Sequence, residues 1–330
     1  MSEAVLSLDG LTVRLPKGAD RPHALSDVSL SIASNEILCV VGESGSGKSM
    51  MANAIMRLLP NEVTIEQGRM MFEGRDLCAA DNAAMREVRG AGIAMIFQEP
   101  MTALNPLRTI GDQIGEMFAI HTGLSKAEIS ARVLALLEDV RIPDPRATAK
   151  AYPHELSGGQ RQRAMIAMAL ALDPKLLIAD EPTTALDVTT QAQILKLIRD
   201  LQRRRKTAVL FITHDFGVVA EIADRVVVMQ HGAIVEQGAA DKVLNDPQHP
   251  YTRQLIAAVP PLTTPPADSV PQLAAPVAQL PFGAVQRGAV ERQRAEVDAV
   301  GGGERHEDAV ALGDVDAADR HVLGGEPRER

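Results

Sequence analysis

The chain has 330 residues, enough for one large α/β domain with an appendage or for two modest domains, so core size sets no limit. Its 43 acidic and 34 basic side chains leave a net charge of −9, which argues against a global basic field for nucleic acid or anionic lipid. With 2% aromatic content, no tryptophan and two cysteines far apart, it offers no base-stacking platform, disulfide framework or cysteine metal site, and a reducing compartment is expected. The longest apolar runs, such as Ala164 to Leu172, fall short of the roughly 20 residues that cross a bilayer, and the N-terminus has no basic-then-apolar signal. A chain that neither spans a membrane nor is secreted is expected.

Val5 to Val13 alternates apolar with small or polar residues, and Ala24 to Ile32 repeats the pattern, which predicts two antiparallel strands joined by a Pro16 to Pro22 surface loop. Ile37 to Val41 is a short, β-branched-rich run that reads as a buried parallel strand, and Met50 to Leu59 reads as a helix. Between them lie Gly42, Glu43, Ser44, Gly45, Ser46, Gly47, Lys48 and Ser49. This stretch fits G-x-x-x-x-G-K-[ST] in every position, in the strand, glycine loop, helix order the pattern requires. The glycines allow tight turning and inward-facing N–H groups, and the helix start adds its positive dipole end, so the loop is a cradle for polyphosphate. Lys48 then reaches the β and γ phosphates as a point charge, and the Ser49 hydroxyl completes the coordination of a Mg²⁺ otherwise held by water and phosphate oxygens. A nucleotide base often stacks on an aromatic near such a loop; here Leu15 or His23 would serve, or both simply pack or face solvent.

Gly68 to Phe72 and Ile93 to Phe97 read as strands, the second followed by Gln98, and Thr109 to about Lys150 then turns helical. Ile110, Ile114, Met117 and Phe118 share one face; Val133, Leu136, Leu137 and Val140 share another; Ser125 to Glu128 has capping-box form. A helical insertion between two sheet strands, at about 105–165, is the economical interpretation. Leu156 to Gln160 opens the next helix, and Ser157, Gly158, Gly159 and Gln160 put a hydroxyl and two glycines where helix N–H groups lie unpaired. Alone that fits either a second anion site or a plain N-cap, and the motif that follows at modest distance favours the anion site. Lys175 to Ala179 is a buried strand that delivers Asp180 and Glu181 at its carboxyl end, where open α/β sheets bind ligands. Asp180 fits as a direct or outer-shell partner of Mg²⁺, and Glu181 as the group that polarises water for in-line attack on the γ phosphate. The Ala208 to Ile212 strand brings His214 beside those carboxylates if the sheet is doubly wound. In that company His214 reads as a donor to the γ phosphate rather than as a core or cap histidine. Arg203 to Lys206 complements a helix end and is assigned no function. Val226 to Met229 and Ala233 to Val235 predict a closing hairpin, followed by helices over Asp241 to Asn245 and Tyr251 to Ala258. Proline pairs and Gly301 to Gly303 mark a poorly ordered tail from about 263 to 330.

The loop, Gln98, the Leu156 to Gln160 run, the Asp180 and Glu181 pair and His214, in this order, resemble the ATP-binding subunit of an ABC transporter over residues 1 to about 260. Gln98 to Pro106, Asp180 to Leu195 and His249 to Leu255 look like the branch that imports dipeptides, oligopeptides, nickel or glutathione. The resemblance implies a P-loop NTPase α/β fold at 1–262, with a mainly parallel sheet, an antiparallel β subdomain and a helical insertion subdomain. By it, Gly42 to Ser49 is the Walker A loop, Gln98 the Q-loop sensor and a Mg²⁺ partner, Leu156 to Gln160 the signature and Leu176 to Asp180 the Walker B strand. Glu181 is then the catalytic base, Asp187 the D-loop residue and His214 the switch histidine. It further implies ATP with Mg²⁺, and a head-to-tail dimer in which the Gly42 to Ser49 loop of one copy and Ser157 to Gln160 of the other sandwich each ATP. Two permease subunits and a periplasmic solute-binding protein are the implied partners, at the cytoplasmic face of the inner membrane. The chain departs from the family in lacking an A-loop aromatic, Leu15 lying near its place, and in having no cysteine after Cys78, so no iron–sulfur cluster is expected. The rival reading is a soluble ABC ATPase acting on DNA or ribosomes, disfavoured by a single set of motifs and the acidic balance. A P-loop kinase or GTPase has no use for the Leu156 to Gln160 run or for His214.

Overall fold

Alternating burial makes β1 (Ala4–Arg14) and β2 (His23–Ala33) an antiparallel pair, with Leu8 opposite Leu30 and Leu11 opposite Val28. The computed structural model describes residues 4–98, 103–184 and 186–258, all within the unit Met1–Leu262, so the tail expected beyond about 263 lies outside the described residues. After β3 (Ile37–Val41) and α1 (Lys48–Ile55), β4 (Thr64–Phe72) lines the free edge of β1, and β5 (Arg75–Asp76) completes a sheet ordered β2-β1-β4-β5. The fourth strand begins four residues before the expected Gly68 because its first half pairs with β1, Thr64 opposite Arg14, while facing solvent. Exposed apart from Ile65, which half-packs on the core, that half carries no apolar periodicity to read.

The second sheet holds β6 (Ile93–Ile96), β7 (Leu176–Asp180), β8 (Ala208–Ile212), β9 (Arg225–Gln230) and β10 (Ala233–Ala239) with β3, in the order β10-β9-β3-β8-β7-β6. It is parallel except for the β9 to β10 hairpin. Every residue of β3, β7 and β8 is buried, and alternate residues serve different cores. Ile37, Cys39, Leu177, Val209 and Phe211 face one cluster; Leu38, Val40, Ile178, Leu210 and Ile212 face the other, shared with the antiparallel sheet and α1. Burial pushes the Cys39 thiol well above its ordinary range, consistent with a packing role.

Between β6 and β7 come α3 (Ile110–His121), α4 (Lys126–Asp139), α5 (Pro145–Lys150), a 3-10 turn at Pro153–Glu155 and α6 (Gly158–Ala169). The helical insertion therefore runs a few residues past the expected end. The Ser125 and Glu128 capping box forms as read, and Ile110, Ile114 and Phe118 meet Val133, Leu136, Leu137 and Val140 in one core. After α2 (Asn82–Val88), which carries no strong pattern, the remaining helices are α7 (Val188–Arg205), α8 (Phe216–Ile222), α9 (Ala240–Asn245) and α10 (Pro250–Ala257). The expected Met50 to Leu59 helix is shifted: α1 starts at Lys48 and stops at Ile55, since Arg57 turns left-handed at φ 52° and Pro60 disfavours helix before it. Among the described residues no helix is long and apolar enough to cross a membrane.

Candidate functional site

Strand order does the assembling. β8 lies between β3 and β7, and β6 flanks β7, so four carboxyl ends stand side by side. Gly42, Glu43, Ser44, Gln98, Glu181 and His214, which follow those ends, line one cleft of about 560 Å³ with Thr184, Phe216 and Leu255.

The Gly42 to Ser49 loop is wedged between two strands. A Cβ on Gly42 (φ 152°) would lie 2.2 Å from the Met229 carbonyl oxygen, and one on Gly47 (φ 106°) would lie 2.8 Å from that of Ala24. Glycine is therefore required at both positions. Gly42→Ala is expected to destabilise the fold by about 1–3 kcal/mol, read as a melting temperature lowered by about 2–10 °C; an unchanged melt would contradict this packing. Gly47 caps α1, so Lys48 and Ser49 open the helix and Lys48 is buried at 5% exposure. Its ammonium donates to the carbonyls of Gly42 (2.7 Å) and Glu43 (2.9 Å). Burial lowers the Lys48 pKa against the opposing pull of Glu181 and Asp180, while burial raises that of Asp180 despite its bond from Ser49. For both groups desolvation outweighs the countercharge at hand, a shortfall that a polyphosphate and a divalent cation would make up.

The donor set fits such a pair of ligands. The Ser46 hydroxyl is buried without a hydrogen-bond partner among the described residues, an unmet donor inside the loop. Ser49 Oγ donates to Asp180 Oδ1 at 3.1 Å, pairing a hydroxyl and a carboxylate, both hard oxygen ligands. Among the described residues no three His, Cys, Asp or Glu cluster around a metal position. The Ser49 and Asp180 oxygens fit Mg²⁺, which takes one or two protein ligands and otherwise keeps water and phosphate oxygens. Gln98, expected with them, is drawn instead to Glu181.

Glu181 is the convergence point. Its carboxylate accepts from Gln98 Nε2 (3.1 Å) and Thr184 Oγ1 (3.0 Å), and His214 Nδ1 lies 3.3 Å from its other oxygen. The residue stands in the left-handed region at φ 47°, a conformation disfavoured for glutamate, while its N–H donates to Ile212 O at 2.9 Å and anchors it to the next strand. His214 is 62% exposed, so its ring faces the open cleft.

Ser157 to Gln160 line no part of this cleft. Ser157 caps α6, its hydroxyl accepting from Gln160 N at 3.3 Å while the Gln160 side chain accepts from Ser157 N at 3.0 Å, so the cap reading holds for the single chain. Gly159 has a packing reason of its own, since a Cβ there would meet Thr190 Cγ2 of α7 at 2.8 Å. Asp187 caps α7, and the Thr190 side-chain hydroxyl and then its N–H hold the Asp187 carboxyl below its usual range.

Sequence reasoning missed Thr184, Arg21 and Tyr251. Thr184 lies in the turn after Glu181; Arg21 donates from the Pro16 to Pro22 loop to the Gly45 carbonyl; the Tyr251 hydroxyl accepts from Glu43 N at 3.1 Å. Of the alternatives left open for Leu15 and His23, packing has contacts on both: Leu15 packs on the core shared by the antiparallel sheet, and the His23 ring is turned to Glu66 at 2.9 Å.

Residues 25–184 match the ABC transporter family, and residues 235–283 match the oligopeptide/dipeptide transporter C-terminal region. The chain belongs to the ABC transporter ATP-binding family. It is 53% identical over 260 residues to the peptidoglycan transport ATP-binding protein YejF of Agrobacterium fabrum, an alignment covering 78% of this chain and 48% of that protein. It is 51% identical over 267 residues to the glutathione import ATP-binding protein GsiA of Salmonella typhimurium, covering 79% of this chain and 43% of the relative. The chain thus spans about half the length of the curated relatives it matches. Among solved ABC cassettes, a dimeric post-hydrolysis state bound to ADP and Pi superposes with a TM-score of 0.64 at 28% identity, covering 71% of this chain and 98% of that one. A Clostridium perfringens cassette from the transporter complex cbiONQ gives 0.63 at 27% identity, covering 74% and 92%. The ABC fold accounts for the mixed sheet, the antiparallel sheet and the helical insertion together.

Proposed function

We propose that this ABC subunit hydrolyses ATP to drive a peptide importer. The observation that carries the reading is the convergence of Gln98, Thr184 and His214 on the Glu181 carboxylate, in the cleft that Gly42, Glu43 and Ser44 open. Gly42 to Ser49 embraces the phosphates, with the unmet Ser46 hydroxyl and Lys48 as donors. Ser49 and Asp180 would hold a Mg²⁺, which would supply neutralisation of phosphate charge when bound. Glu181 orients and deprotonates the attacking water, Gln98 and Thr184 fix the carboxylate in place, and the exposed ring of His214 donates to the γ phosphate.

One chain does not complete the site. Ser157 and Gly158 are exposed, and so is Val188, at 84%, beside Asp187. This supports a facing copy, or a related subunit, whose Ser157, Gly158, Gly159 and Gln160 clamp the γ phosphate from the other side. ATP then bonds the dimer and hydrolysis releases it. Three large apolar side chains are exposed: Phe97, next to Gln98 in sequence, at 42%, Leu107 at 85%, and Ile120 at 68% beside a groove of about 1000 Å³ rimmed by Arg108, Lys126 and Lys150. These support docking of two permease subunits, hence peripheral residence on the cytoplasmic face of the inner membrane, with a periplasmic solute-binding protein and without nucleic acid. The names of the relatives, peptidoglycan transport and glutathione import, support a solute of peptide character.

The test is uptake of a labelled dipeptide by vesicles carrying this subunit with its permease pair and solute-binding protein. ATP-dependent uptake is expected. Recovery of the subunit on nucleic acid, with no uptake of any peptide tried, would overturn the reading.

A further inference from the structure

The helix α10 touches the phosphate loop from outside the sheet. Tyr251, in its first turn, is buried at 6% exposure and its hydroxyl accepts from Glu43 N at 3.1 Å. Leu255, one turn on, lines the cleft beside Glu43 and Ser44. The start of α10 is itself tethered to the sheet: Glu236 of β10 accepts from Gln248 N (2.7 Å) and His249 N (3.0 Å), and His249 Nδ1 accepts from Tyr251 N at 3.2 Å. Gly42 C=O and Glu43 N–H belong to one peptide plane. That plane is gripped at both ends, its carbonyl by the Lys48 ammonium at 2.7 Å and its N–H by the Tyr251 hydroxyl. Gly42, without a Cβ, offers little intrinsic resistance to rotation of this peptide.

We propose that Tyr251 is a positioning residue that locks the Gly42 to Glu43 peptide and so fixes where Lys48 meets phosphate, making the C-terminal helix part of the nucleotide site. The inference rests on the nucleotide-binding reading above. With the lock in place, an arriving phosphate draws the ammonium away from the Gly42 carbonyl without letting the peptide turn. Without it, loop order must come from the binding energy of the ligand.

Tyr251→Phe keeps the ring and removes only the hydroxyl, the group that accepts from Glu43 N. ATP titration is expected to give a Kd raised about three- to tenfold, the range for one lost hydrogen bond. KM should rise with it, kcat should stay within about twofold, and amide exchange at Glu43 should quicken. A variant that matches the wild-type Kd and the wild-type Glu43 exchange sinks the role of Tyr251 while leaving the nucleotide site standing. A lowered melting temperature with activity lost in proportion and KM unmoved sinks it too, reducing the tyrosine to packing. If the wild-type chain binds no ATP, the nucleotide-site reading falls first.

Discussion

Glu181→Gln is expected to bind ATP within about threefold of wild type and to lose about 10²- to 10⁴-fold in kcat, the range for removing a general base. The substitution is close to isosteric, so the bond from Thr184 and the left-handed backbone at φ 47° can persist. What disappears is the carboxylate that takes the water's proton. With binding intact and turnover stopped, ATP should hold two subunits together, and a dimer should accumulate on size exclusion in the presence of ATP and Mg²⁺. Turnover at the wild-type rate would remove Glu181 from its role, and Thr184 and His214 would then have gathered around a structural carboxylate.

Lys48→Met carries the second large effect. The ammonium is buried and its pKa is lowered by that burial, so the folded chain already bears a desolvation cost for the charge. Removing it should leave the melting temperature within about 3 °C, because the lost bonds to Gly42 and Glu43 are offset by a cheaper, apolar burial. Nucleotide affinity should behave differently. Loss of a desolvated charge partner for phosphate costs about 2–5 kcal/mol, or roughly 30- to 4000-fold in Kd. Isothermal titration with ATP reads this directly. A Kd within threefold of wild type would place the phosphates away from Lys48, and a collapsed melt would mean that the lysine serves the fold.

Much of this site was legible as pattern. The glycine loop, the carboxylate pair and His214 each follow a short, wholly apolar run, and such runs announce buried strands whose next residue must sit at a sheet edge. The resemblance then joined these segments in order. Less legible were elements whose residues face water or whose helices are brief: the exposed first half of β4, α2 and α8. The ends of α1 were misjudged because its N-cap is a left-handed glycine rather than a serine or aspartate, and its C-terminus unwinds at Arg57.

By itself the sequence determined which residues could do the chemistry, because spacing of apolar residues and glycines sets strand, turn and helix within a few residues of chain. Tertiary structure alone decided which of them meet. Strand order brought Gln98 of one loop to Glu181 of another, 83 positions on, and folded Tyr251 back 208 positions to Glu43. Contacts at that separation are fixed by how two sheet faces and their helices fill a common core, and no local propensity encodes that choice.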